Sequence, residues 1–287
     1  MTIKQSLQYS NKRTSARLDA EVILSFVINK PKEFLYTYPE FELTKSQEKK
    51  FKELVKRRAK GEPVAYLIGK KEFYGREFFI NKDVLVPRPE TEVIVETVLD
   101  SCLRRNDERK SRNDGDKIVA EIGTGSSCLA TTLAKEIPEI KIIATDICEK
   151  ALKVAKRNAK EHKVLSKIKF YKGSLLEPIK NKRINILVAN LPYGWQEWKN
   201  NCSMETVGLK FEPAKALFTD EKGLKLYREL LEQIANKKHQ PKLILFEIDP
   251  RQKDTIKKLI KKILPNSKIT FIKDLAYKTR VVKIENH

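Results

Sequence analysis

Three observations predict an α/β fold over most of the chain, with a mostly parallel sheet covered by helices on both faces. From Lys117 onward, short apolar runs alternate with stretches of helical period, the pattern of repeated βα units. The first of those runs opens into a glycine turn, Gly123-Thr124-Gly125. Two later runs end on polar residues, Asp146 and Asn190, at the strand ends where open α/β sheets bind ligands.

The bulk composition is that of an ordinary globular chain. Its 287 residues leave room for two domains or one large one, with 40% hydrophobic and 34% charged residues. Met1 to Arg17 are polar and lack the apolar core of a signal peptide, and no apolar stretch is long enough to span a membrane. The four cysteines, Cys102, Cys128, Cys148 and Cys202, have neither metal-ligand spacing nor a disulfide framework, so no metal is expected and reduced thiols in the cytoplasm are. A net charge of +21 invites a polyanion such as nucleic acid or the ribosome. The competing reading spreads lysines over solvated helix faces, as at Lys253, Lys257, Lys258, Lys261 and Lys262.

Residues 1–70 read as a helical domain that docks a partner. Leu18, Val22, Ile23, Phe26 and Val27 recur at helical spacing up to Lys30-Pro31. A second helix starts at Thr44, with Gln47 placed for a capping box, and runs through Phe51, Leu54 and Val55 to Gly61. Residues 71–88 form a linker: Glu72 to Ile80 is aromatic-rich around Gly75 and predicts a hairpin. The third region, 89–287, begins with Pro89, Glu90 and Glu92 in the first turn of a helix. Residues 102–116 are polar without a period and read as a surface connection. Strands are expected at Ile118–Ile122, Ile142–Thr145, Ile168–Tyr171, Ile184–Val188 and Leu243–Ile248. Helices are expected through Leu129 and Leu133 and from Lys150 to Lys160. The last two strands, Ile269–Ile272 and Arg280–Ile284, have no helix between them and should pair antiparallel. His162, His239 and His287 read as surface residues.

The glycine turn lets a ligand approach the backbone and leaves free N–H groups at a helix start. Asp146 follows about twenty residues later, where a carboxylate can accept both hydroxyls of a ribose. Cys128 occupies the last glycine position of a dinucleotide fingerprint, so an adenosine ligand without pyrophosphate fits better. At Asn190-Leu191-Pro192-Tyr193 the Asn190 oxygen and the Leu191 carbonyl can each accept one hydrogen of a planar NH2 group. Pro192 restricts the backbone that aims that carbonyl, and Tyr193 offers a ring face.

These pieces, with Gly61-Glu62-Pro63, Glu72-Phe73-Tyr74-Gly75, Pro87-Arg88-Pro89-Glu90-Thr91-Glu92, Gly173-Ser174-Leu175, Phe211-Glu212-Pro213 and Glu247-Ile248, resemble the protein-glutamine methyltransferases of peptide chain release factors over nearly the whole length. The resemblance implies a Rossmann-like, S-adenosylmethionine-dependent methyltransferase domain with a mostly parallel seven-stranded sheet, an amino-terminal helical domain that grips the factor, and a linking hairpin. It implies transfer to the side-chain amide of the glutamine in the factor's Gly-Gly-Gln motif, by a monomer. Gly123, Thr124, Gly125, Ser126 and Ser127 would then hold the methionine and ribose part of the cofactor, Asp146 the ribose hydroxyls, and Ser174 and Leu175 the adenine. Asn190, Leu191, Pro192 and Tyr193 would hold the glutamine as catalytic residues, Asn190 also bordering the cofactor. Arg88, Glu90 and Glu92 would close the cofactor side.

Four positions depart from the family pattern: Leu191 for a first proline, Ser127 for a glycine, Glu121 for an aspartate, and Asp249-Pro250 where a glycine is usual. Asn-Leu-Pro-Tyr is also the form of adenine dimethyltransferases of ribosomal RNA, so the alternative reading is an adenine-amino methyltransferase acting on RNA or DNA, with Tyr193 stacking on a flipped base. A catalytically silent binding module is a third reading, which the joint presence of Gly123, Asp146 and Asn190 opposes.

Overall fold

The computed structural model describes residues 1–11, 17–108, 117–195 and 204–286, without the side chains of 103–108 and 204–207. The chain forms two compact units. The smaller comprises Met1–Lys70 and Ile80–Lys82 with the described residues of 203–211, and the larger takes the rest.

The smaller unit is built on α1 (Ile3–Asn11), α2 (Arg17–Ile28), α3 (Lys32–Thr37), α4 (Lys45–Ala59) and α5 (Val64–Ile68). Ile23, Leu24 and Val27 from α2 meet Phe51, Leu54 and Val55 from α4 in one apolar core with Ile3 and Leu67. Thr44 starts α4 with a complete capping box: its hydroxyl accepts the Gln47 N–H while Gln47 accepts the Thr44 N–H. Gly69, at φ +74, ends α5 in the left-handed conformation that favours glycine.

The larger unit opens with the expected hairpin, β1 (Lys70–Phe73) and β2 (Arg76–Phe79). Tyr74 and Gly75 between them both have positive φ, the two-residue turn whose twist matches paired strands. Asn158 of α8 (Glu149–Glu161) fastens the hairpin: it accepts Phe79 N–H at 2.8 Å and donates to the Phe79 and Ser126 carbonyls.

The main sheet has seven strands: β3 (Lys117–Ile122), β4 (Ile140–Asp146), β5 (Ile168–Lys172), β6 (Ile186–Ala189), β7 (Leu243–Glu247), β8 (Lys268–Lys273) and β9 (Thr279–Glu285). Their spatial order is β5-β4-β3-β6-β7-β9-β8. β5 to β7 run parallel to one another, and β9 is antiparallel to both β7 and β8, as the missing crossover helix requires. The longer helices beside α8 are α6 (Glu92–Glu108), α7 (Cys128–Glu136), α9 (Lys225–Ala235) and α10 (Lys253–Ile263). Leu230, Leu231 and Ile234 of α9 and Ile256 and Ile260 of α10 pack on Leu187, Ile244 and Phe246 of the sheet.

Some expectations change. Helix α6 runs through Cys102 to Glu108, so the first part of the expected surface connection is helical, and residues 109–116 lie outside the described residues. Arginine and glutamate are good helix formers, so a charged run without apolar period need not end a helix. Strand β6 starts at Ile186 and not at Ile184, because the Asn185 side chain accepts the Ile118 N–H across the sheet. His162 is not simply a surface residue: it stacks on Phe78 with ring centroids 4.6 Å apart, and its Nε2 meets the Glu77 carbonyl at 2.8 Å. Cys202 and His287 lie outside the described residues, and among the described residues Cys102, Cys128 and Cys148 form no disulfide.

Candidate active site

Register decides what meets at the carboxyl end of the sheet. Ile122 of β3 pairs with Thr145 of β4 on one side and with Ala189 of β6 on the other. The next residue on each strand is therefore Gly123, Asp146 and Asn190, side by side at the point where the chain order reverses. Ala189 in turn pairs with Phe246 of β7, which sets Glu247 beside Asn190.

The glycine turn hangs from β4. Gly123 and Thr124 N–H both donate to the Thr145 carbonyl at 2.9 Å. Gly123 (φ +74), Gly125 (φ +52) and Ser127 (φ +62) all have left-handed backbone, so the serine at a usual glycine position holds a conformation unfavourable to a side chain. Thr124 donates to the buried Glu121, whose carboxyl burial pushes up to about 8. Asp146 Oδ2 accepts Gly125 N–H at 2.9 Å and Oδ1 accepts Cys148 N–H at 2.8 Å. Burial raises the Asp146 pKa and those backbone bonds oppose the rise. The loop carrying Ser174 and Leu175 reaches the same rim, since Gly173 N–H donates to the Asp146 carbonyl and Thr145 Oγ1 to the Leu175 carbonyl, both at 3.0 Å.

On the Asn190 side the hydrogen bonds form one connected set. Asn190 Nδ2 lies 3.0 Å from Thr91 Oγ1 and 3.0 Å from Glu247 Oε2, and Thr91 donates to that same oxygen at 2.6 Å. Tyr193 donates to Glu247 Oε1 at 3.1 Å. The fully buried Tyr227 has one hydroxyl proton, which goes to the Glu247 carbonyl. The same hydroxyl accepts Leu191 N–H at 3.3 Å and only grazes the Leu191 carbonyl at 3.4 Å, leaving that carbonyl its lone pairs. Burial pushes the Glu247 carboxyl up to about 7, against the pull of its bonds from Thr91 and Tyr193. Gln252 donates to the Tyr193 and Lys222 carbonyls at 3.1 and 2.9 Å, fixing the far end of the segment.

Arg88, Glu90 and Glu92 are held by protein partners. Arg88 pairs with the buried Glu212, which also accepts Val86 N–H at 3.1 Å, so the Pro-Arg-Pro and Phe-Glu-Pro segments bind each other. Glu90 pairs with Arg280 at 3.3 Å, and Glu92 accepts Tyr74 N–H at 2.8 Å. Sequence reasoning gave no role to Thr91, Tyr227 or Glu247, nor to Ile147, a large apolar side chain left 68% exposed directly after Asp146. A usable signal existed for Glu247: like Asp146, it is an acid that closes an apolar strand.

Residues 3–69 match the PrmC N-terminal domain and residues 102–207 the methyltransferase small domain. The release factor glutamine methyltransferase of Dictyoglomus turgidum is 37% identical over 275 residues, covering 95% of this chain and 92% of that protein. The one from Bacillus cereus is 34% identical over 270 residues, covering 92% and 91%. The bifunctional methyltransferase of Rickettsia felis is 36% identical over 262 residues, and this chain spans only 49% of its length. Among solved structures, the N-terminal domain of human METTL16 in complex with SAH aligns with a TM-score of 0.57 at 14% identity, over 92% of this chain and 94% of that one, a likeness of fold alone. With the PrmC-type amino-terminal domain, the methyltransferase domain and near-full-length relatives all agreeing, the chain belongs to the release factor glutamine methyltransferase family.

Proposed function

We propose that the chain transfers a methyl group from S-adenosylmethionine to the side-chain amide nitrogen of the glutamine in the Gly-Gly-Gln motif of a peptide chain release factor. The observation that carries this reading is the register that sets Gly123, Asp146 and Asn190 one step past a common row of the sheet.

The residues fit the cofactor. Gly125 has open space where a side chain would stand, and each Asp146 oxygen keeps a lone pair after its backbone bond, enough for two ribose hydroxyls. Gly123 to Ser127 border the methionine and ribose part, Ser174 and Leu175 the adenine, and the exposed Ile147 gives the base an apolar face. The cofactor supplies an electrophilic methyl carried on a sulfonium. The chain has to supply a competent nucleophile, since an amide nitrogen has its lone pair delocalised into the carbonyl. Asn190 Oδ1 and the Leu191 carbonyl accept the two amide hydrogens, holding the nitrogen in line and favouring the positive charge that develops on it. One of those hydrogens then leaves as a proton to solvent, so that the methyl replaces it. Orientation of this kind can supply roughly 7–11 kcal/mol of a barrier. Pro192 and Tyr193 shape the slot for the planar group.

The amino-terminal unit is the docking element for the factor, and the enzyme works as a cytoplasmic monomer. Among the described residues no helix is long and apolar enough to cross a membrane. A cleft of about 830 Å³, whose lining includes Lys180, Lys182, Arg183, Lys238 and His239 beside one acid, Glu177, supports a nucleic-acid contact, and His239 lines it just beyond the end of α9. That basic cleft and Leu191 favour the adenine-amino reading as the alternative.

Labelled cofactor offered to purified release factor and ribosomal RNA side by side separates the two. Label on the factor's glutamine is expected, and label on RNA alone would replace the glutamine reading. Asn190→Ala is expected to bind cofactor in calorimetry yet transfer nothing, and near-normal turnover would sink the amide clamp.

A further inference from the structure

We propose that Thr91 and Glu247 are positioning residues that force the Asn190 side chain to present its oxygen, and not its nitrogen, to the substrate amide. The proposal rests on the glutamine reading and explains how the acceptor is guaranteed. The two ends of an asparagine amide have nearly the same shape, and a half-turn exchanges an acceptor for a donor. A donor there would face the hydrogens of the substrate amide and repel the group it has to hold.

The surroundings of Asn190 decide the orientation. Thr91 spends its single hydroxyl hydrogen on Glu247 Oε2 at 2.6 Å, so toward Asn190 it has only lone pairs. Ionised Glu247 accepts only. Asn190 therefore has two acceptors at 3.0 Å on one side and must turn its NH2 toward them, which leaves Oδ1 pointing away. The flipped amide would leave three oxygens, Asn190 Oδ1, Thr91 Oγ1 and Glu247 Oε2, to share the single Thr91 hydrogen. Water cannot relieve that conflict, because Thr91 is 4% and Glu247 1% exposed. The carboxylate is itself held: Tyr193 donates to its other oxygen at 3.1 Å, and Tyr227 pins the Glu247 backbone carbonyl.

The device has a pH limit. A protonated Glu247 becomes a donor on one oxygen, the Thr91 hydroxyl is released to turn, and the flipped Asn190 is no longer penalised. Burial pushes the Glu247 carboxyl up to about 7, and Glu90 raises it further while Arg280 lowers it. Arg280 is shared with Glu90 and Asp274, so it is not dedicated to Glu247. The other ionisable groups facing Glu247, Tyr193, Tyr227 and the Cys128 thiol, all have pKa values raised by burial and stay neutral across this range.

The test is the pH profile of kcat and KM between about pH 5.5 and 8.5 on purified release factor, with cofactor affinity measured by calorimetry. The native chain should show an acid limb in kcat. Glu247→Gln, which can donate and so permits the flip, should lower kcat at least tenfold at pH 8, keep cofactor affinity within about twofold, and lose the acid limb. Thr91→Val should lower kcat with cofactor affinity kept, and Thr91→Ser, which restores the hydroxyl, should recover most of that loss. Thermal melts identify any variant that fails to fold, and the Thr91 pair then carries the test. Undiminished kcat with an unchanged acid limb in Glu247→Gln would overturn the proposal, as would equal kcat in the valine and serine variants. A native chain that leaves the factor unlabelled would overturn the glutamine reading instead.

Discussion

Asp146 and Gly223 show how single residues hold the two halves of the site. Asp146 bonds backbone N–H groups of Gly125 and Cys148, and a ribose diol would add two charge-assisted bonds to its remaining lone pairs. Asp146→Ala is expected to weaken cofactor binding by about 1.5–3 kcal/mol. Isothermal titration reads this directly, and unchanged affinity would mean the ribose contact is misassigned. Gly223 acts on the Asn190 side. At φ +81 its missing side chain leaves room for the Tyr193 carbonyl, which a Cβ would approach to 2.0 Å. The added Cβ is fixed by its own backbone and meets a backbone carbonyl, so the contact cannot be relieved by rotating a side chain. Gly223→Ala is expected to displace the Tyr193 segment, lowering both the melting temperature and methyl transfer, while cofactor affinity, set on the β3 and β4 side, stays near normal. Wild-type turnover in that variant would show that the segment tolerates the shift.

At the scale of elements, the loop before α6 is tied to the segment 211–213 through Glu212. That carboxylate accepts the buried Val86 N–H and pairs with Arg88, so removing it strands a backbone donor and an arginine together. Glu212→Ala is expected to cost about 1–3 kcal/mol in urea unfolding of the full chain. A loss within experimental error would show that water replaces the carboxylate. This pairing also shows what was legible in the sequence. Both segments stood out as motifs, but nothing in their spacing said that they touch, because 124 residues separate Arg88 from Glu212. Strands β3 to β9 and the glycine turn were readable, since period and end residues are local properties. The partners of Asn190 were not, because they follow from β7 lying next to β6 and from Thr91 arriving from a distant loop. Helix α6 was read too short for a different reason: its continuation rests on helix propensity in a charged run, where no apolar stripe marks the face.

For the whole molecule, proton linkage predicts an unusual direction of pH dependence. Burial raises Glu121 to about 8 and Glu247 to about 7 in the native state, against an ordinary value of 4.5. Between pH 4.5 and those values the native chain holds protons that the unfolded chain has released, so stability must fall as pH rises through the window. The stabilising contribution of each group is complete below its unfolded value and is lost as pH rises through its folded value. Glu48, Glu149, Glu221 and Asp274 are shifted the other way by their cationic partners, and their contributions are lost only as pH falls below the ordinary carboxylate range. The two sets therefore act on opposite sides of the ordinary carboxylate range, while self-repulsion from the net charge of +21 weakens the fold most at low pH. Thermal melts from pH 4 to 9 are expected to show Tm declining from about pH 5 to 8, and the Glu121→Gln, Glu247→Gln double variant should flatten that decline because glutamine carries no proton to release. An identical pH dependence of Tm in the native chain and the double variant would mean that neither carboxyl holds its proton through this window. That outcome would also remove the titration on which the acid limb of the Asn190 device depends, so the melt and the rate profile must agree.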